Sequence, residues 1–170
     1  PYALQKLTIE HYSRLFYEVY GLKTISLRYF NVYGPKQDKE SNYSNLIPKF
    51  IELIQKNEQP KIYGDGKQTR DFTYIEDVVS ANLAAMKSNN KIIFGEAFNI
   101  GTSSSISVND ITENIIQLLN SKIKPVHVAP IIEPNHTLAD VSKAKKLLDW
   151  QPRISINEGL KKTVEHFKNI

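Results

Sequence analysis

Tyr2 and Lys6 stand four residues apart in Tyr2-Ala3-Leu4-Gln5-Lys6, so on a helix a phenol and an ammonium share one face. A phenol with an ordinary pKa of about 10 is a poor base at neutral pH, and a neighbouring cation favours its ionised form. Beside a hydride acceptor, such a phenolate can take a hydroxyl proton while the hydride leaves the same carbon. The same spacing also occurs on ordinary amphipathic helices, so the pair needs further support. In Arg28-Tyr29-Phe30-Asn31-Val32-Tyr33-Gly34-Pro35 an alternating strand ends at Phe30 and Asn31, and Gly34-Pro35 forces a loop. The end of a strand in an open α/β sheet is a usual ligand position. Asn31 there either meets a ligand or caps the turn. Arg70, within Gln68-Thr69-Arg70-Asp71-Phe72, carries a guanidinium fork suited to phosphate oxygens. Its other reading is a surface pair with Asp71 or Asp77.

The elements that must carry these groups follow from periodicity. Leu4, Leu7, His11, Leu15 and Val19 recur at helical steps over residues 2–20, and Gly21 is a natural stop. Residues 23–30 read as a strand, and a polar stretch over 36–44 leads into an amphipathic helix at 46–56 with Phe50, Leu53 and Ile54 on its apolar side. Residues 61–63 look like a strand, Asp65-Gly66 signals a hairpin turn, and 70–74 reads as the returning strand. A helix over 76–87, a strand at 97–100, a helix opened by Ser107 and Asp110, a strand at 125–129 and two short helices at 142–148 and 157–167 complete a mixed α/β unit. Asp77 falls where a carboxylate favours a helix start. His11 reads as a packing or interface residue, and Leu148 and Trp150 as packing anchors.

The 170 residues suffice for one core, and 41% hydrophobic with 24% charged composition excludes a disordered chain. The net charge of +4 suits an anionic small ligand. Nucleic acid is not expected, because the densest basic cluster, Lys143, Lys145 and Lys146, lacks interleaved aromatics. No apolar run approaches the roughly 18 residues of a membrane span, so no membrane partner is expected. The absence of cysteine removes disulfides, thiol nucleophiles and Cys-based zinc sites, and four scattered histidines offer no metal-ligand spacing. It also fits a reducing, cytoplasmic setting. The chain opens on Pro1 without a signal-peptide pattern, which leads us to expect a segment of a longer chain.

Pro1-Tyr2-Ala3-Leu4-Gln5-Lys6, the 28–35 and 63–72 segments, Ala139-Asp140-Val141-Ser142-Lys143-Ala144, Leu148-Asp149-Trp150-Gln151-Pro152 and Glu158-Gly159-Leu160 follow one another in order. Together they resemble the extended short-chain dehydrogenase/reductase family, and within it the NAD-dependent nucleotide-sugar epimerases and dehydratases of the UDP-glucose 4-epimerase type. The resemblance runs from Tyr2 to Phe167. It implies an α/β fold: the C-terminal part of a doubly wound Rossmann-type domain interleaved with a smaller α/β substrate-binding domain, in one compact unit over 1–170. The dinucleotide-binding half of the family lies upstream of Pro1. Gly64-Asp65-Gly66 is not its Gly-rich turn, because it opens no helix.

By the same resemblance Tyr2 is the catalytic acid/base. Lys6 favours its ionised form and hydrogen-bonds the nicotinamide ribose, and Phe30 borders the cofactor. Asn31 and Arg70 contact the substrate diphosphate, Tyr63 meets the base, and Gln68 lies near the ribose. Ile47 begins a helix bordering the same pocket, Glu133 holds ribose hydroxyls, and Thr137 stands near the sugar gate, where a small side chain admits an N-acetylhexosamine. One departure is plain: Pro130 stands where relatives carry a further Arg. The implied activity is a nucleotide-sugar 4-epimerase on UDP-glucose/UDP-galactose or their N-acetylhexosamine equivalents, with NAD as cofactor and a homodimer paired through the first helix. The alternatives are a dehydratase, a UDP-glucuronate epimerase, or a non-catalytic nucleotide-sugar-binding remnant.

Overall fold

The computed structural model describes residues 1–38 and 46–169. Most of the polar stretch expected over 36–44 therefore lies outside the described residues. Helix α1 (Tyr2–Tyr20) ends where Gly21 takes a left-handed conformation and returns its N–H to Tyr17 O and Phe16 O. Strand β1 (Ser26–Tyr29) then pairs in parallel with β6 (Ala97–Ile100). Alternation along β1 sends Arg28 to Glu10 on α1 and Tyr29 to Asn82 on α3 (Ile75–Lys87), so the two helices cover opposite faces. This parallel pair packs with Val78, Ala81, Ile93, Phe98, Ile100, Leu148 and Trp150 into one apolar cluster.

A second cluster joins α2 (Leu46–Gln55), α4 (Val108–Leu118) and α6 (Ile156–Lys168) around Ile47, Ile51, Ile111, Ile115, Leu160 and Val164. Tyr33, in β2 (Val32–Tyr33), stands at its edge between Phe72 and Tyr74. Burial pushes its phenol pKa up, so it stays neutral and donates to Ile156 O at 3.4 Å. Gly159 is the residue of α6 that permits this approach: a Cβ there would run into the Tyr33 hydroxyl.

The hairpin expected at Asp65-Gly66 does not form. Strand β3 (Lys61–Tyr63) pairs in parallel with β8 (Val126–Val128), and β4 (Thr69–Arg70) pairs antiparallel with β7 (Ile106–Ser107). The expected strand over 70–74 divides at Asp71 and Phe72, and β5 (Thr73–Tyr74) pairs in parallel with β2. The reason lies in the loop: Gly66, at φ 73°, offers its carbonyl to Asn109 N–H, and Asn109 Nδ2 donates to Asp65 O. The turn therefore braces the start of α4 instead of folding a strand back.

Two buried carboxylates fasten the segments. Asp71 accepts from Thr102 N and Oγ1, Ser103 N and Ala139 N, tying the end of β4 to the loop after β6 and to the tail. Asp77, in the first turn of α3, accepts from Arg153 N and Ile154 N. Helix α5 (Ser142–Leu148) completes the order.

Candidate functional site

A cavity of about 710 Å³ opens between α2, β3, β4 and the loop after β8, within the size range of small-molecule sites. Asn31, Tyr63, Gln68, Arg70 and Glu133 all line it. Local structure explains this convergence. In β3 the alternation buries Ile62 and leaves Lys61 and Tyr63 exposed. The segment 135–137 runs beside Thr69, with Thr69 N–H donating to Asn135 O at 2.8 Å and Thr137 N–H to Thr69 O at 3.1 Å. That pairing sets Glu133 opposite Arg70.

Arg70 is bound neither to Asp71 nor to Asp77, whose carboxylates are taken up by backbone N–H groups. Its Nη2 donates to Glu133 Oε2 at 2.7 Å and its Nη1 to Thr69 O at 2.8 Å. Glu133 Oε1 accepts from Gln68 Nε2, which also donates to Tyr63 O at 2.9 Å. Tyr63, Gln68, Arg70 and Glu133 thus form one connected polar wall. Asn31, at φ 29°, donates one amide N–H to Asp71 O at 2.8 Å, so it braces the loop as well as facing the cavity.

The other expected site residues fall elsewhere. Ile47 is fully buried in the α2–α4–α6 cluster; its neighbours Leu46, Lys49, Phe50 and Leu53 reach the cavity instead. Thr137 is half-buried beside Thr69, with its hydroxyl unbonded and outside the cavity lining. Phe30 is half-buried at the end of β1, its N–H on Ile100 O. Tyr2 and Lys6 share the first turns of α1, the ammonium 5.3 Å from the centroid of the phenol ring, and Tyr2 is 66% exposed. Neither lines the cavity.

Sequence reasoning overlooked Lys49 and Lys61, which line the cavity without an ion pair among the described residues. Their signal was available in position: Lys49 lies three residues after Leu46 on α2, and Lys61 lies two before Tyr63 on β3. Among the described residues no group of His, Cys, Asp and Glu could hold a metal ion. The donors on α1 suit a nicotinamide riboside, with an ammonium for ribose hydroxyls and a phenol able to exchange a proton. None of the seven glycines stands in a Gly-x-Gly-x-x-Gly turn that would hold a pyrophosphate at a helix start.

Known proteins resemble this chain along almost its whole length. Residues 1–101 match the NAD dependent epimerase/dehydratase family. The chain is 38% identical over 99% of its length to a UDP-N-acetyl-alpha-D-glucosaminuronate decarboxylase of Bacillus cytotoxicus, covering 53% of it. It is 40% identical to a UDP-glucuronate 4-epimerase of Thermodesulfobacterium geofontis, over 99% of this chain and 50% of that one. The crystal structure of UDP-glucose 4-epimerase from Thermotoga maritima with UDP-glucose superposes with a TM-score of 0.92 at 38% identity, over 99% of this chain and 53% of that one. The chain thus spans about half the length of these relatives. The α/β class with parallel strands expected from the sequence is the observed one.

Proposed function

The chain belongs to the NAD dependent epimerase/dehydratase family, and on that premise we propose that it is the catalytic-pair and substrate-binding portion of an NAD-dependent nucleotide-sugar 4-epimerase. The observation that carries this reading is the convergence of Asn31, Tyr63, Gln68, Arg70 and Glu133 on one cavity from separate stretches of sequence. The substrate is a UDP-sugar, either UDP-glucose/UDP-galactose or the N-acetylhexosamine equivalent.

NAD, when bound, supplies reversible hydride acceptance at a sugar carbon; Tyr2, Lys6 and Phe30 are the residues of this chain that would border it. Tyr2 takes the proton of the sugar 4-hydroxyl and returns it, and Lys6 donates to the nicotinamide ribose. Arg70 and the second N–H of Asn31 hold the diphosphate, so the nucleotide stays fixed while the sugar turns. Glu133 receives the ribose hydroxyls, and Tyr63 and Gln68 flank the base and ribose. A second reading, a UDP-glucuronate 4-epimerase, is favoured by the 40% identity to the Thermodesulfobacterium enzyme. The proposed assembly is a homodimer through α1, whose Leu7, Tyr12, Leu15 and Phe16 are all exposed. The proposed location is the cytoplasm; no helix of the described residues is long and apolar enough to cross a membrane.

The test is Tyr2→Phe in the full-length protein, assayed for turnover of UDP-glucose, UDP-N-acetylglucosamine and UDP-glucuronate and for UDP binding by calorimetry. We expect turnover to fall by at least about a hundredfold with UDP affinity unchanged. Parallel loss of binding would make Tyr2 a structural residue, and the sugar turned over by the wild type chooses between the two readings.

A further inference from the structure

Resting on the nucleotide reading of the cavity, we propose that Glu133 is a specificity-determining residue: it acts as the cavity's own counter-anion for Arg70 and turns away simple anions. A ligand displaces it only by offering both an anion and a pair of hydroxyls.

The argument begins with the guanidinium fork. Arg70 Nη1 is committed to Thr69 O at 2.8 Å, with Asn135 O at 3.5 Å, while Nη2 is held by Glu133 Oε2 at 2.7 Å. The Arg70 side chain is only 13% exposed and that of Glu133 33%, so the pair is partly shielded from water. The carboxylate is also held on its second oxygen, where Gln68 Nε2 donates at 3.2 Å. Arg70 thus already faces a positioned anion that belongs to the chain itself.

A carboxylate has no donor to offer a phosphate, and like charges repel. A free phosphate or pyrophosphate must therefore compete against a tethered anion whose effective concentration is high. It can replace the partner of Arg70, but it leaves Glu133 with nothing in return beyond Gln68. A ribonucleotide replaces both: its phosphate takes the guanidinium, and its 2′- and 3′-hydroxyls donate to the freed carboxylate. The exchange then replaces, for each of the two half-buried charged groups, the hydrogen bond that it gave up. Lys49 and Lys61, in the same cavity, attract every anion alike, so the discrimination resides in the Arg70–Glu133 pair.

The experiment is calorimetric titration of the full-length protein with UDP, uridine and pyrophosphate, comparing wild type with Glu133→Gln and Glu133→Asp. Glu133→Gln keeps the side-chain length and a carbonyl acceptor for Gln68 while removing the charge. We expect it to tighten pyrophosphate about fivefold and to weaken uridine, so the preference for UDP over pyrophosphate collapses. Glu133→Asp, which keeps the charge, should still exclude pyrophosphate. Unchanged or weaker pyrophosphate binding in Glu133→Gln, with UDP still bound, overturns the role of Glu133 and leaves the nucleotide reading standing. Failure of the wild type to bind UDP overturns the nucleotide reading itself and the selectivity claim with it.

Discussion

Helix α1 runs for 19 residues without burying one, whereas α2 buries Ile47, Pro48, Phe50, Ile51 and Ile54 within only 10. Both helices carry apolar residues at helical spacing, so the contrast comes from what each meets. Helix α2 meets α4 and α6, and their side chains close around it. Helix α1 is linked to the rest by the Glu10–Arg28 pair, by Thr24 Oγ1 donating to Ser13 O, and by Tyr17 against Phe94. The cavity wall is therefore braced by a core within the described residues, whereas the Tyr2–Lys6 pair rides on a helix whose apolar side those residues leave open. In this chain the cavity wall rests on a core of its own, and the helix that carries Tyr2 and Lys6 buries none of its residues.

Three measurements would break or sharpen that contrast. The largest effect is expected at Asp71, next to Arg70 of the cavity wall, where Asp71→Ala strands the N–H donors of Thr102, Ser103 and Ala139. Denaturant unfolding should show a loss of about 3–5 kcal/mol; a loss below about 1 kcal/mol would mean the wall is braced by packing alone. Next, Ile51→Ala on α2 should cost about 2–4 kcal/mol by opening a cavity in the cluster. Leu15→Ala on α1 should cost less than about 0.5 kcal/mol in these 170 residues. In the full-length protein an equal cost at both positions would show that the α1 face is covered there.

The third effect, also small, concerns pH. The Arg28 guanidinium holds the Glu10 carboxyl below its ordinary value. A depressed carboxylate stabilises above the ordinary carboxylate range, and this contribution is lost as pH falls through the depressed value. Glu10→Gln should remove that part of the acid limb, less than about 1 kcal/mol because Arg28 is half-exposed. Stability profiles of the two proteins that run parallel through pH 3–5 (the range in which model carboxylates titrate, about 4) would show that the pair does not anchor α1.

Much of the fold could be read locally. Ser107 Oγ accepts from Asp110 N–H at 3.0 Å, as the spacing of these two residues implies, and Gly21 stops α1. Asp77 starts α3 as expected, and Leu148 and Trp150 are buried anchors. The pairing of strands was not legible. Asp65-Gly66 is a local hairpin signal, but β3 finds its partner at 126–128, and nothing near Gly66 in sequence announces Asn109. The partner of Arg70 was missed for the same reason: the nearby acids Asp71 and Asp77 had already been claimed by backbone N–H groups remote in sequence.

What the sequence determined by itself is whatever depends on neighbours a few residues away: helix spans, caps, the shared face of Tyr2 and Lys6, and the ordered motifs that mark the family. Tertiary structure alone decided which groups meet. It carried Ile47 into the core and Lys49 to the cavity from the same helix, split the 70–74 strand at a buried carboxylate, and set Glu133 against Arg70. Local structure follows from short-range sterics and hydrogen bonding, which four or five residues encode. A cavity wall follows from parallel pairing and burial between segments some sixty residues apart, and only the folded chain brings them together.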